Sequence, residues 1–213
     1  MGRALVELLT RNAHEVGIGS RDLARAEDVA RATPNAWAGR YSDVAAASDV
    51  LFWAVAWDYA ESTLKALPDL RRAVLVDCSN PETPDGRGLA VGLDTSGAET
   101  IATLRPDARV IKAFCHTYAE LLRKGPEFGA ENASVLLCGD DPGAKSSLSE
   151  IIRSCAFDPV DCGPLRSARF LEPVAMLMVQ LVREMGAAPE DVALKVLRRA
   201  PTPRTASDGG RGA

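Results

Sequence analysis

His14-Glu-Val-Gly-Ile-Gly-Ser-Arg-Asp-Leu-Ala-Arg25 is the stretch on which the reading of this chain turns. Val16, Gly17 and Ile18 form a short apolar run, too brief for a helix and bounded by polar residues, and so predict a buried strand. Ser20 and Arg21 follow in a turn. Asp22 then opens a helix that runs to about Ala32, with acid at its positive end and Arg31 in its last turn. Strand, polar turn and helix in fifteen or so residues is the unit from which parallel sheets are built.

The same unit recurs along the chain. Asp49 to Val55 and Ala73 to Asp77 are continuous apolar runs, the pattern of parallel strands covered on both faces. Arg109 to Phe114, Ala133 to Cys138 and Phe157 to Asp161 supply further strands, and Asn35 to Ala38 a brief one. Helices are predicted over 1–12, through Val44 to Ala47, over Tyr59 to Leu67 before Pro68, from Ser96 to Leu104, and over Ala144 to Cys155 behind Pro142. Residues 82–95, rich in Gly, Pro, Asp and Thr, read as a loop, and a polar segment separates Phe114 from Ala133. A helix from about Ser167 to Met185 is apolar nearly all round its middle, so burial is expected, in the chain or against a second copy. The organisation expected is a doubly wound, mostly parallel α/β domain over 1–186, an amphipathic helix within 187–200, and a disordered tail over 201–213 made mostly of Pro, Thr, Ser, Gly, Ala and Arg.

Composition narrows the function. Of 213 residues, 46% are hydrophobic and 25% charged, as in an ordinary soluble globule, and the net charge is −4. An acidic balance argues against nucleic acid or an anionic membrane as partner. The longest apolar runs fall well short of the ~18 residues that a membrane span requires. Five cysteines without a CxxC pair, accompanied by two histidines, argue against structural zinc and suit a reducing, cytoplasmic setting. Gly139-Asp140-Asp141 reads as a turn before a helix rather than as a metal site.

The opening stretch carries chemistry. In a dinucleotide-binding sheet the end of the second strand meets the adenosine ribose, usually through Asp or Glu on its hydroxyls. Here the position holds Ser20 and Arg21, with Arg25 one helical turn on. A 2′-phosphate repels a carboxylate, whereas a guanidinium forks onto two of its oxygens. A dinucleotide site built this way prefers NADP to NAD.

Further motifs stand in order. Met1-Gly2-Arg3-Ala4-Leu5 looks like the end of a Gly-x-Gly-x-Met-Gly loop running into its helix, and Gly19-Ser20-Arg21 follows about 18 residues later, near the spacing between glycine loop and ribose-reading position. Ala54-Val55, Ser79-Asn80-Pro81, Lys112-Ala113-Phe114, Gly163-Pro164-Leu165 with Ala168-Arg169, and Leu171-Glu172-Pro173 complete the set. Together they resemble the NADPH-dependent reductases of the deazaflavin coenzyme factor 420, a family related to pyrroline-5-carboxylate reductase and to the reductase domain of the metalloreductases. The resemblance covers about residues 1–186. It implies a Rossmann-like fold, NADP as cofactor, and direct hydride transfer to or from a deazaflavin or similar small acceptor. It also implies cofactor contacts from Gly2, Ser20, Arg21, Arg25, Ala54, Val55, Asn80 and Pro81, the last two beside the nicotinamide.

The chain departs from that pattern in three places. The first strand and first two glycines are absent, so the sequence opens inside the motif, and residues supplied ahead of Met1 are expected to restore NADPH binding. Cys115-His116 follow Lys-Ala-Phe where Asn is usual, and Ala56-Trp57 follow Ala54-Val55 where Pro is usual. Lys112, Cys115 and His116 are the candidate substrate side. Strand alternation favours a packed Cys115 and a cleft-facing His116 over a thiol–base pair. Lys112 reads equally as a cleft cation or a strand-end lysine. No catalytic acid or base and no metal ligand is assigned, since hydride transfer between carbons requires stacking in a dry cleft. Two rival readings remain: a reductase of another small acceptor, an imine or a flavin, and a degenerate nucleotide-binding protein that senses without turnover. A homodimer through the 167–185 helix is a further expectation.

Overall fold

A computed structural model describes residues 1–199 except Arg72 and Leu93; the tail over 201–213 lies outside the described residues. Its centre is a five-stranded sheet of β3 (Val50–Trp53), β4 (Val74–Asp77), β5 (Arg109–Ala113), β8 (Ser134–Gly139) and β9 (Asp158–Asp161), in that spatial order. All neighbours are parallel except β5 and β8, which run antiparallel. β1 (Val16–Gly19) and β2 (Ala36–Gly39) form a separate parallel pair. β6 (Glu127–Phe128) and β7 (Glu131–Asn132) make a small hairpin.

The continuous apolar runs sit where burial on both faces requires them. Val74, Val76, Ile111, Ala113, Val135 and Leu137 face one core, under α1 (Gly2–Arg11), α6 (Ala119–Lys124) and α7 (Pro142–Ser154). Leu75, Val110, Leu136 and Cys138 face the other, under α4 (Ala60–Ala66), α5 (Gly97–Leu104) and α8 (Ala168–Met185). This is the doubly wound arrangement, produced by the period-two alternation of strand side chains. Caps fix several helix starts: Asp22 accepts from Arg25 N ahead of α2 (Leu23–Arg31), Ser96 from Glu99 N, and Asp141 from Ala144 N. α3 (Tyr41–Ala47) completes the β1–β2 half.

Two expectations are corrected. The segment before Ala133 contains α6, whose Leu121 and Leu122 are buried against α1. Arg11 donates to the carbonyls of Leu122 and Arg123 and so closes its carboxyl end. Among the described residues of 187–199 no amphipathic helix forms: Pro189–Asp191 is a single 3-10 turn, and the described residues beyond it are not helical. Ser134 N donates to Leu194 O and Val196 N to Ser134 Oγ, so this strip binds along the start of β8, and β8 outcompetes the helix for its backbone. α8, expected to be buried in the chain or against a second copy, leaves Phe170, Leu177, Leu181 and Met185 exposed in the single chain, so only the second alternative could cover them.

Candidate functional site

α1 has its amino end beside the carboxyl end of β3, where a Cβ on Gly2 would lie 3.7 Å from Ala54 Cβ. Met1 supplies no side-chain cap there, so the first-turn N–H groups of α1 remain donors for an anion. The turn after β1 brings Ser20, Arg21 and Arg25 to the same side. Ser20 Oγ accepts from Asp22 N at 3.1 Å, and the Asp22 carboxylate is committed to capping α2. The Arg21 guanidinium stands 4.6 Å from the centre of the Tyr59 ring, between β3 and α4, a cation–π contact that spans the two halves of the molecule. Among the described residues neither Arg21 nor Arg25 is ion-paired.

Between the halves lies a cavity of about 810 Å³. Gly2, Ser20, Arg25, Ala54 and Val55 line it, with all of β1 and β3. Arg21, Asn80, Pro81, Lys112, Cys115 and His116 are not on its wall. The Ser79-Asn80-Pro81 turn is nonetheless adjacent, because Asp77 pairs with Trp53 across the sheet and Cys78 N donates to Trp53 O.

That turn is held by a polar knot. Lys112 Nζ lies 2.7 Å from Asp77 Oδ2, 2.7 Å from Ser79 O and 2.9 Å from Glu172 Oε1, and all three charged side chains are 0–1% exposed. Asp77 Oδ1 accepts from Ser79 N and Oγ, while Glu172 accepts from Gly97 N and Ala98 N at the start of α5. Burial pulls the Lys112 pKa down; the facing negative charges, Asp77 first, more than reverse it, so the ammonium keeps its proton. Asn80 Nδ2 donates to Cys115 O at 2.9 Å, and Asn80 Oδ1 is a buried acceptor without a donor among the described residues.

The substrate-side assignments are therefore overturned. Lys112 is an interior ion-pair member rather than a cleft cation. β5 ends at Ala113, and Phe114 takes a left-handed φ of 61°, so the strand alternation used to aim His116 stops one residue early. The His116 ring is instead buried against β8, with Nε2 3.3 Å from Ser134 O and 3.4 Å from Leu136 N. Desolvation lowers its pKa. Cys115 is packed as expected, and burial pushes its thiol up to about 12. Asp77, Glu172 and Tyr59 had been given no role; the available signal was three charges inside apolar runs, which must pair when buried.

Residues 1–81 match the family described as NADP oxidoreductase, coenzyme F420-dependent. The F420-dependent NADP reductase of Methanocaldococcus jannaschii is 26% identical over 84% of the chain and 86% of its own length. Rat metalloreductase STEAP3 is 33% identical over 83% of the chain but 35% of its own length, so the chain spans about a third of that relative. A solved structure from Arthrobacter sp. FB24, provisionally named an F420-dependent NADP reductase, superposes with a TM-score of 0.82 at 24% identity, covering 92% of this chain and 94% of its own. At that identity it establishes the shared Rossmann-like α/β fold. Among the described residues no helix is long and apolar enough to cross a membrane.

Two predictions follow from the buried groups. Lys112→Met strands two buried carboxylates and is expected to cost about 3–5 kcal/mol in denaturant unfolding, whereas Lys65→Met, which removes an exposed pair with Glu61, changes stability by less than about 1 kcal/mol. A small loss for Lys112→Met would remove the knot from its structural role. His116 gains protons less readily folded than unfolded, so stability is expected to fall as pH drops below about 6.5, at up to about 1.4 kcal/mol per unit until the folded value is passed. Unfolding curves of the native chain and His116→Gln between pH 8 and 5 measure that share directly, and parallel pH profiles would refute it.

Proposed function

We propose that this chain is the NADP(H)-binding unit of a hydride-transferring oxidoreductase, with a deazaflavin as acceptor. The observation that carries it is the Ser20–Arg21–Arg25 cluster: two guanidiniums and a hydroxyl at the carboxyl end of β1, where the carboxylate within the cluster, Asp22, is occupied as a helix cap. The residues present fit both charged groups of the cofactor. The three side chains match a 2′-phosphate, and the uncapped start of α1 matches a pyrophosphate. When bound, the nicotinamide supplies or accepts the hydride.

The protein's own part is placement. Arg21 is held over Tyr59 and reaches the phosphate from a preset position. Lys112 anchors Ser79 O, and through it the Asn80–Pro81 turn at the nicotinamide end. Asn80 Oδ1 lacks a donor and suits a ligand amide N–H. Matching over nearly all of the M. jannaschii reductase supports the deazaflavin over an imine or flavin. Five free cysteines support a reducing, cytoplasmic setting. The exposed apolar residues of α8 support a homodimer.

The test is cofactor titration and turnover. Arg21→Ala and Arg25→Ala are expected to weaken NADPH on the order of 10- to 100-fold, the scale of one charged hydrogen bond, and to leave NADH nearly unchanged. Equal losses for both nucleotides would remove the 2′-phosphate role. NADPH binding without oxidation by a deazaflavin or a flavin would favour the non-catalytic reading.

A further inference from the structure

β1 and β2 end level with one another. Their parallel register runs from Val16 opposite Ala36 to Gly19 opposite Gly39. The next residues, Ser20 and Arg40, therefore leave the pair side by side, with backbones about 5 Å apart. Each strand then turns into a helix, β1 into α2 and β2 into α3. Arg40 is thus the counterpart on β2 of Ser20 on β1.

The rings beside these strand ends settle which way Arg40 leaves. A Cβ built on Gly17 would come within 2.7 Å of the Trp37 ring, and one on Gly19 within 2.9 Å of the Tyr41 ring. Both aromatic side chains therefore close over the same face of the pair. Arg40 lies between them in the chain and keeps an extended backbone, φ −67° and ψ 160°, so alternation turns its side chain away from that face. Ser20, one position past Gly19, stands in the same phase.

The guanidiniums flank Ser20 from opposite sides. Arg21 reaches toward the β3 half, where it stands 4.6 Å from the centre of the Tyr59 ring. Arg40 belongs to β2, on the other flank of β1. The acids of the two turns are engaged in the same manner. Asp22 accepts from Arg25 N, and Asp43 accepts from Arg40 N at 3.3 Å and from Ser42 Oγ at 3.2 Å. Each carboxylate is held against its own helix start. Arg40 itself is exposed and, among the described residues, not ion-paired. A phosphate monoester carries close to two negative charges and three acceptor oxygens. One guanidinium fork takes two of those oxygens, which leaves a place for a second cation from the far side.

We propose that Arg40 is a further binding residue for the 2′-phosphate of the cofactor, closing on it from the β2 side while Arg21 closes from the β3 side. The inference rests on the 2′-phosphate reading above. It adds a residue that motif spacing does not reach, because Ser20 and Arg40 meet only through strand pairing. The chemistry selected is a phosphate monoester on the ribose; toward a free 2′-hydroxyl the guanidinium has no charge to meet.

Binding of adenosine 2′,5′-bisphosphate and of adenosine 5′-phosphate to the full chain measures this preference without the nicotinamide. Arg40→Ala is expected to weaken the bisphosphate roughly 10-fold, the low end for one charged hydrogen bond, and to leave the 5′-phosphate within about 2-fold. Arg40→Lys, which keeps the charge without the fork, is expected to fall between Arg40→Ala and the native chain. Arg31→Ala removes the same charge from the last turn of α2 and is expected to change neither nucleotide. Arg40→Ala weakening both nucleotides alike, or neither, would overturn the proposal. An equal loss of preference in Arg31→Ala would overturn it too, since net charge would then explain the effect. The parent reading fails separately. Loss of the bisphosphate in Arg21→Ala but not in Arg40→Ala leaves the 2′-phosphate site standing and removes Arg40 from it. A native chain that does not prefer the bisphosphate removes both.

Discussion

Lys112, Asp77 and Glu172 place one ammonium and two carboxylates in the dry interior of the molecule, and the central geometry depends on how they are compensated. Ions taken out of water lose solvation worth several kcal/mol each, so such a group persists only where every lone pair and proton is engaged. The excess negative charge is met by Gly97 N and Ala98 N at the positive end of α5. The remaining oxygen of Asp77 is met by Ser79, and the remaining proton of Lys112 by Ser79 O. Through these bonds β4, β5, α5 and α8 share one electrostatic centre, and the turn after β4 has little freedom.

The other half of the site obeys a different constraint. Ser20, Arg21 and Arg25 belong to the β1–β2 pair, and the Ser79–Pro81 turn belongs to the five-stranded sheet. A dinucleotide bound in this orientation is read at its phosphate end by one half and at its nicotinamide end by the other. Whatever sets the spacing between β1 and β3 therefore sets the distance between the two reading heads. The Arg21–Tyr59 stack spans that gap at the surface, and the cavity lies beneath it.

Much of this was legible locally. The buried runs 74–77 and 134–139 are strands because covering both faces requires unbroken apolar sequence. The β1 turn was readable because a strand end, a cap and a helix start lie within ten residues. The six-residue α6 was not readable. It is too short to hold by propensity and depends on Arg11 and on packing against α1. The 192–196 strip was misread as helix because its partner is the backbone at Ser134.

The site divides in the same way. Sequence alone determined the alternation of strands and helices and the placing of Ser20, Arg21 and Arg25, the residues proposed to read a 2′-phosphate, at the turn after β1, because each rests on neighbours within a few positions. Tertiary structure decided that Lys112 is an interior ion-pair member, that His116 turns away from the cleft behind the left-handed Phe114, and that β1 and β3 are held apart around an apolar slot. Those outcomes rest on charges, carbonyls and sheet edges contributed by distant parts of the chain. Coulomb attraction, desolvation and strand pairing act across space, and only the folded arrangement brings their partners within reach.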